Sequence, residues 1–315
     1  MGNAIEVHDL RKRYGDVEAL RGVDFHVGVG EVFCMLGPNG AGKTTCAEIL
    51  EGHRLAGSGS VSVLGHDPSR GGRGLRERIG VVLQSCGVQE ELTVGELLEM
   101  YGRYYPRSRS PQELIELVEL DAKRGARSGS LSGGQRRRLD LALALVGDPD
   151  LIFLDEPTTG FDPHARRQAW STIRSLCSLG KTVFLTTHFM DEAQHLADRV
   201  AVMVDGRIVA LGSPRDLGGR GELPTEIRFA LPDGVGLDAL PPLPADATVK
   251  QERDGVLVTS GDGVRATHAL TSWALASGTE LRNLAVAQPT LEDVYLALTG
   301  DRSGEQAIAG EQAIA

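Results

Sequence analysis

Residues 37–45, GPNGAGKTT, constrain this chain more than any other stretch. They fit G-x-x-x-x-G-K-[ST], a pattern in which each fixed position has a physical reason. The glycines let successive backbone N–H groups turn inward around an anion. The apolar run VFCML ahead of the motif predicts a buried strand over 32–36. The segment behind it predicts a helix over about 42–51, whose N-terminal dipole faces the same anion. Lys43 adds a point charge suited to the β- and γ-phosphates of a nucleotide, and the Thr44 hydroxyl a ligand for Mg²⁺. Gly37, Pro38, Asn39, Gly40, Ala41, Gly42, Lys43, Thr44 and Thr45 are therefore the candidate phosphate-binding residues.

The rest of the chain alternates strand and helix patterns, which implies an α/β core with a parallel sheet. Alternation predicts strands over 5–10 and 23–27 with a turn at 14–16, and further strands over 60–64 and 79–83. Between about 87 and 128 the pattern turns helical. Thr93 with Glu96, and Ser110 with Pro111 and Glu113, are helix-start signals. Leu114, Leu117 and Val118 then share one helical face, so this stretch reads as an inserted helical subdomain. Helices are expected over 163–179 and 190–197, a strand over 182–187, and a hairpin over 199–211 turning at Asp205–Gly206.

Residues 151–156, LIFLDE, end an apolar strand in two carboxylates. Side chains alternate along a strand, so the two acids cannot share one role. Asp155 is expected to bind Mg²⁺ through water, and Glu156 to polarise an attacking water.

A formal net charge of −10 argues against free nucleic-acid binding, which needs clustered Lys and Arg, so no nucleic-acid partner is expected. The four cysteines, Cys34, Cys46, Cys86 and Cys177, form no CxxC pair and read as reduced thiols. No signal peptide and no apolar run long enough for a membrane helix is found. The Arg136–Arg138 run reads as a solvated face, and the histidines other than His188 show no metal spacing.

LSGGQ at 131–135, between the phosphate loop and the acidic strand end, resembles the signature of ATP-binding cassette (ABC) proteins. Other motifs of that family match in order. Tyr14 stands where the family has an adenine-stacking aromatic, with a packed surface aromatic as its plain alternative. Gln84, ending IGVVLQ, resembles the loop glutamine that senses Mg²⁺ and couples to the partner. Asp162 in TTGFDP resembles the dimer-contact aspartate, although the loop reads TTGFD where SALD is common. His188 after TVFLTT resembles the switch histidine at the γ-phosphate.

The resemblance covers residues 4 to about 212 and implies a P-loop NTPase cassette with a mixed β core and an inserted helical subdomain. It implies catalytic roles for Glu156, His188 and Gln84, and Mg²⁺ contacts for Thr44, Gln84 and Asp155. Ser132, Gly133, Gly134 and Gln135 would meet ATP bound by a second cassette, most simply a second copy of the chain packed head to tail. The expected organisation is a cassette over 1–219, a small α+β C-terminal domain over 223–300, and a disordered tail over 301–315, where GEQAIA occurs twice. PTLEDVYLALTG at 289–300 resembles the closing segment of drug-export ATPases of the daunorubicin-resistance type. That implies a separate integral membrane permease, a drug, antibiotic or lipid-like substrate, and a location at the cytoplasmic face of the membrane. The alternative is a non-transport cassette ATPase acting on ribosome or DNA. Against it stand the single compact cassette and the lack of a coiled-coil insertion.

Overall fold

The computed structural model describes residues 2–82, 87–217, 223–232, 234–252, 255–287 and 295, apart from the side chain of His164. Gln84, Cys86, the closing segment at 289–300 (Tyr295 excepted) and the repeated tail lie outside these residues. The chain divides into two compact units, Met1–Pro214 and Arg215–Ala315.

The first unit begins with two long strands, β1 (Asn3–Tyr14) and β2 (Val17–Gly28), paired antiparallel; β4 (Ser58–Val63) pairs on the other edge of β1. A second sheet contains six strands in the order β5-β6-β7-β3-β8-β9. These are β3 (Val32–Leu36), β5 (Ile79–Val82), β6 (Leu151–Asp155), β7 (Thr182–Thr187), β8 (Arg199–Val204) and β9 (Arg207–Gly212). All neighbours are parallel except the β8–β9 hairpin. β3, whose five residues are all buried, lies between β7 and β8, so the phosphate motif leaves the middle of the sheet. Continuous apolar runs such as VFCML and TVFLTT suit strands covered on both faces.

The two sheets share a core. Phe25 of β2 stacks on Phe33 of β3 at 5.1 Å between ring centroids, Phe33 lies 5.8 Å from Phe184 of β7, and Phe184 lies 5.6 Å from Phe153 of β6. Each fully buried aromatic contributes roughly 1.5–3 kcal/mol of transfer free energy.

Apart from α2, which the sequence pattern does not indicate, the helices start close to where the sequence signals them. α1 (Lys43–Leu50) follows the phosphate loop, and a single turn, α2 (Arg73–Arg76), precedes β5. α3 (Val94–Gly102) opens on a reciprocal capping box between Thr93 and Glu96. α4 (Pro111–Leu117) is capped by Ser110, and Leu114, Ile115 and Val118 are buried behind it. α5 (Gly133–Leu145) opens on a second capping box, Ser132 with Gln135. α6 (Pro163–Ser178) and α7 (Met190–Leu196) follow β6 and β7.

The second unit is described by itself. A four-stranded antiparallel sheet runs in the order β11-β12-β10-β13, from β10 (Thr225–Ala230), β11 (Thr248–Glu252), β12 (Gly255–Ser260) and β13 (Arg282–Ala287). α8 (Gly263–Ser277) packs Ala266 and Leu270 onto Ile227, Phe229, Val256 and Val258. The sequence pattern indicates strands over 227–231 and 255–259 and a helix over 267–277, and β10, β12 and α8 fall close to these ranges, with α8 starting four residues earlier. β11 and β13 are edge strands with every residue exposed, which leaves them no burial alternation to read.

Candidate active site

The phosphate loop is shaped by close backbone approaches. A Cβ on Gly37 would lie 2.2 Å from the Met203 carbonyl oxygen, and one on Gly42 2.5 Å from that of Ala19. Gly42 also has φ 106°, and it caps α1. Only glycine meets both demands. The hairpin turn at Asp205–Gly206 holds the loop from behind, its Gly206 N–H donating to the Ala41 carbonyl at 3.0 Å. Pro38, Asn39, Gly40 and Thr44 are exposed, Thr45 is half-buried, and Gly37 and Ala41 are buried.

Lys43 is only 5% exposed, and its Nζ donates to the carbonyls of Gly37 at 2.8 Å and Pro38 at 3.0 Å. Burial lowers its pKa, against the raising influence of the Glu156 and Asp155 charges. Glu156 Oε1 lies 3.8 Å from Lys43 Nζ and 3.2 Å from His188 Nδ1. Its Oε2 accepts from the Thr159 hydroxyl at 3.1 Å. The Glu156 backbone has φ 46°, in the left-handed region that a non-glycine residue seldom occupies. This breaks the strand at the acid, so Asp155 keeps its strand position and accepts from the Thr186 hydroxyl of β7, while Glu156 turns toward Lys43 and His188. The two adjacent carboxylates thus have separate partners, through this turn rather than through strand alternation.

Thr186, Thr159 and Arg137 were not singled out by sequence reasoning. Arg137 is a correction to the reading of the Arg136–Arg138 run as a solvated face. Its guanidinium reaches from α5 to the loop after β6 and donates to the carbonyls of Asp155 at 3.0 Å, Pro157 at 3.2 Å and Glu156 at 3.4 Å. Arg136 reaches Glu90 at 3.3 Å, and Arg138 the Glu119 carbonyl at 3.3 Å. A triple arginine at a helix start carries no sequence signal that one member clamps a strand end. Two threonines closing the apolar run TVFLTT were the readable hint for Thr186.

The signature residues gather elsewhere in the same unit. Ser132, Gly134, Gln135, Gly160, Phe161 and Asp162 line one cavity of about 320 Å³, which residues 37–45 do not line. A Cβ on Gly133 or Gly134 would meet nothing within 4 Å, so this helix start is open. Gln135 is committed to capping, its Oε1 accepting from the Ser132 N–H at 3.1 Å. Asp162 caps α6, accepting from the Ala165 N–H at 2.9 Å. Tyr14 is half-exposed at the end of β1, with Lys12 Nζ 5.2 Å and the Arg54 guanidinium 5.3 Å from its ring centroid. Gln84 falls outside the described residues.

The oxygen donors around Lys43, namely the Thr44 hydroxyl and the Asp155 carboxylate, suit a hard cation that keeps most of its ligands as water and phosphate. Among the described residues no group of three or more His, Cys, Asp or Glu could hold a metal by itself. The set therefore fits Mg²⁺ arriving with a nucleotide.

A profile of ABC transporters matches residues 20–159, and one described as the C-terminal domain of ABC transporter domain-containing protein-like sequences matches residues 225–290. The chain is 41% identical over 303 residues to the Nod factor export ATP-binding protein I of Paraburkholderia xenovorans (strain LB400), covering 94% of this chain and 97% of that protein. It is 39% identical over 307 residues to the daunorubicin resistance ATP-binding protein DrrA3 of Streptomyces coeruleorubidus, covering 95% and 96%. Among solved structures it resembles cbiO1 from Clostridium perfringens, part of the ABC transporter complex cbiONQ, with a TM-score of 0.62 and 28% identity over 69% of this chain and 90% of that one. The ADP conformation of an ATP-binding cassette of an ABC transporter matches with a TM-score of 0.60 and 26% identity, over 68% and 92%.

Proposed function

The chain belongs to the ABC transporter family of ATP-binding proteins, and we propose that it is the ATPase subunit that powers an exporter through a separate membrane permease. The observation that carries the ATPase reading is the row Lys43–Glu156–His188, with Asp155 held aside by Thr186. Residues 37–45 cradle the phosphates of ATP, and Lys43 releases its own loop carbonyls to pair with them. Thr44 and Asp155 hold Mg²⁺, with Gln84 as a further contact. Mg²⁺, when bound, neutralises charge on the phosphate oxygens.

Glu156 orients and polarises the water, and Thr159 and His188 fix its carboxylate. His188 also faces the γ-phosphate. Arg137 acts as a positioning residue by holding the carbonyls on either side of Glu156. Tyr14 stacks on the adenine. Residues 132–135 and Asp162 serve the phosphates bound by a second copy of the chain, because Ser132, Gly134, Gln135 and Asp162 line a cavity that the chain's own phosphate loop does not share. ATP then closes two cassettes and hydrolysis opens them.

The exporter reading is supported by relatives named for export or drug resistance that match over nearly their whole length. No helix among the described residues is long and apolar enough to cross a membrane, and in this reading the membrane passage belongs to a separate permease. That partner places the subunit at the cytoplasmic face of the membrane. The substrate class is a drug, antibiotic or lipid-like molecule. The described residues between 223 and 287 form an accessory α+β domain, and residues 223–300 carry none of the nucleotide motifs.

The test is to co-express the chain with the integral membrane protein encoded beside it. ATPase activity of the membrane extract and drug tolerance of the cells are then measured. Tolerance should be lost with Glu156→Gln. If the chain never joins the membrane fraction, and ribosomes or DNA stimulate its ATPase instead, the exporter reading is wrong.

A further inference from the structure

Glu192 lies on α7, four residues past His188, and is fully buried. A glutamate is almost never buried this way unless interior groups pair with its oxygens. One oxygen is used: the Trp170 indole of α6 donates to Oε1 at 3.2 Å. The other, Oε2, is sealed from solvent and has no hydrogen-bond partner.

Two donors near this carboxyl are in the same condition. The Thr158 hydroxyl and the Arg166 Nε are also sealed from solvent without a partner. Both groups act on the Glu192 carboxyl, as does the Thr187 hydroxyl, while burial, the largest influence, raises its pKa. One orphaned acceptor thus stands close to two orphaned donors in a dry interior. Folded chains rarely leave buried polar groups in this state, and these three are complementary, so a small approach satisfies them together.

Their positions show what that approach would join. Thr158 lies two residues after Glu156 and four before Asp162, in the loop between β6 and α6. The Arg166 backbone N–H donates to the Asp162 carbonyl at 3.0 Å, and the Arg166 guanidinium lies 4.3 Å from the Phe189 ring centroid. The Phe189 ring centroid lies 4.0 Å from that of His188, and the Phe189 N–H donates to the Thr187 hydroxyl at 3.0 Å. Glu192 therefore stands where the loop carrying Glu156 and Asp162 meets the strand end carrying His188.

We propose that Glu192 is a positioning residue for ATP hydrolysis: its Oε2 accepts from Thr158 and Arg166 when Asp162 engages the second cassette, which fixes Glu156 and His188 in one geometry. This inference rests on the reading of Glu156 and His188 as catalytic and adds a buried group behind them that touches no nucleotide.

The experiment measures ATP hydrolysis against ATP concentration, with thermal melts, for the purified full chain and its variants. Glu192→Gln keeps the size of the side chain but has one acceptor oxygen where donors stand on both sides. It should lower kcat about tenfold with KM for ATP within about threefold, because the phosphate loop is untouched while the acid is displaced. Thr158→Val should lower kcat in the same way, and Thr158→Ser, which keeps the hydroxyl, should hold it within about threefold of wild type. Glu192→Gln combined with Thr158→Val should lose no more than the worse single change, since both remove one interaction. Thr158→Val against Thr158→Ser decides the matter even if Glu192→Gln does not fold. A purely structural Glu192 would lower Tm and leave kcat unchanged. A kcat within about twofold of wild type for Thr158→Val, equal losses in Thr158→Val and Thr158→Ser, a loss confined to KM, or additive losses overturns the inference. In each of those cases Glu156→Gln, measured alongside, remains inactive and the catalytic reading stands. Glu156→Gln turning over ATP at the wild-type rate overturns both.

Discussion

Replacing Arg137 by Met removes a guanidinium but keeps the length of the apolar stem. Three donated bonds disappear, to the carbonyls of Asp155, Pro157 and Glu156 at 3.0, 3.2 and 3.4 Å. A hydrogen bond from a charged donor contributes about 1.5–3 kcal/mol. The longest of the three counts for little, and water can reach part of this loop, so the net loss of stability is about 2 kcal/mol. In a unit of this size that lowers Tm by about 4–8 °C. The larger effect is on rate. Glu156 sits at φ 46°, a conformation that persists only where its surroundings enforce it, and Arg137 grips the backbone on both sides of it. Relaxation of that turn moves the carboxylate away from Lys43 and His188, and a displacement near 1 Å costs on the order of 10²-fold in rate. The expected result is kcat down about 10–100-fold with KM for ATP within about threefold, since the phosphate loop is untouched. Arg137→Lys, with a single ammonium, should recover part of kcat. Steady-state ATP hydrolysis and thermal melts of the purified variants provide the measurement. A Tm that falls as expected beside a kcat within twofold of wild type would show that Arg137 ties the fold together without positioning the acid.

Lys43→Ala should abolish most MgATP binding with the fold intact, checked by nucleotide titration and circular dichroism; an unchanged ATPase rate would refute the site. Glu156→Gln should bind ATP and lose about 10²–10⁴ in hydrolysis, with an ATP-bound dimer visible on size exclusion. Gly37→Ala should disrupt the loop, because its Cβ would meet the Met203 carbonyl at 2.2 Å, and soluble yield with ATP affinity reads this out. Asp140→Asn should stabilise the isolated chain in a pH-dependent way. The Asp140 pKa is raised from 3.8 to about 6, so the folded state prefers the neutral acid. The stability this contributes is present below about pH 4 and is lost as pH rises through about 6, a difference of about 3 kcal/mol for a shift of this size. Denaturant melts at pH 4 and pH 7.5 should therefore show the variant ahead of wild type only at the higher pH; an equal gap at both falsifies the assignment.

By itself the sequence determined the elements and the positions of the motifs. VFCML, LIFLDE and TVFLTT declare their strands, and Thr93 and Ser110 declare their helix starts, because apolar periodicity and capping are properties of neighbours along the chain. The phosphate loop was legible for the same reason, since its glycines, lysine and threonine act within nine residues. Only the tertiary structure decided what meets across the fold. β3 and β7, about 150 residues apart in sequence, become neighbours in the sheet, and this brings Glu156 between Lys43 and His188. Arg137 and Asp140 are three residues apart on one helix, and charge alone would place both in solvent. One ends on three backbone carbonyls and the other in a cavity wall, because long-range packing, which no local pattern encodes, covers that face of α5.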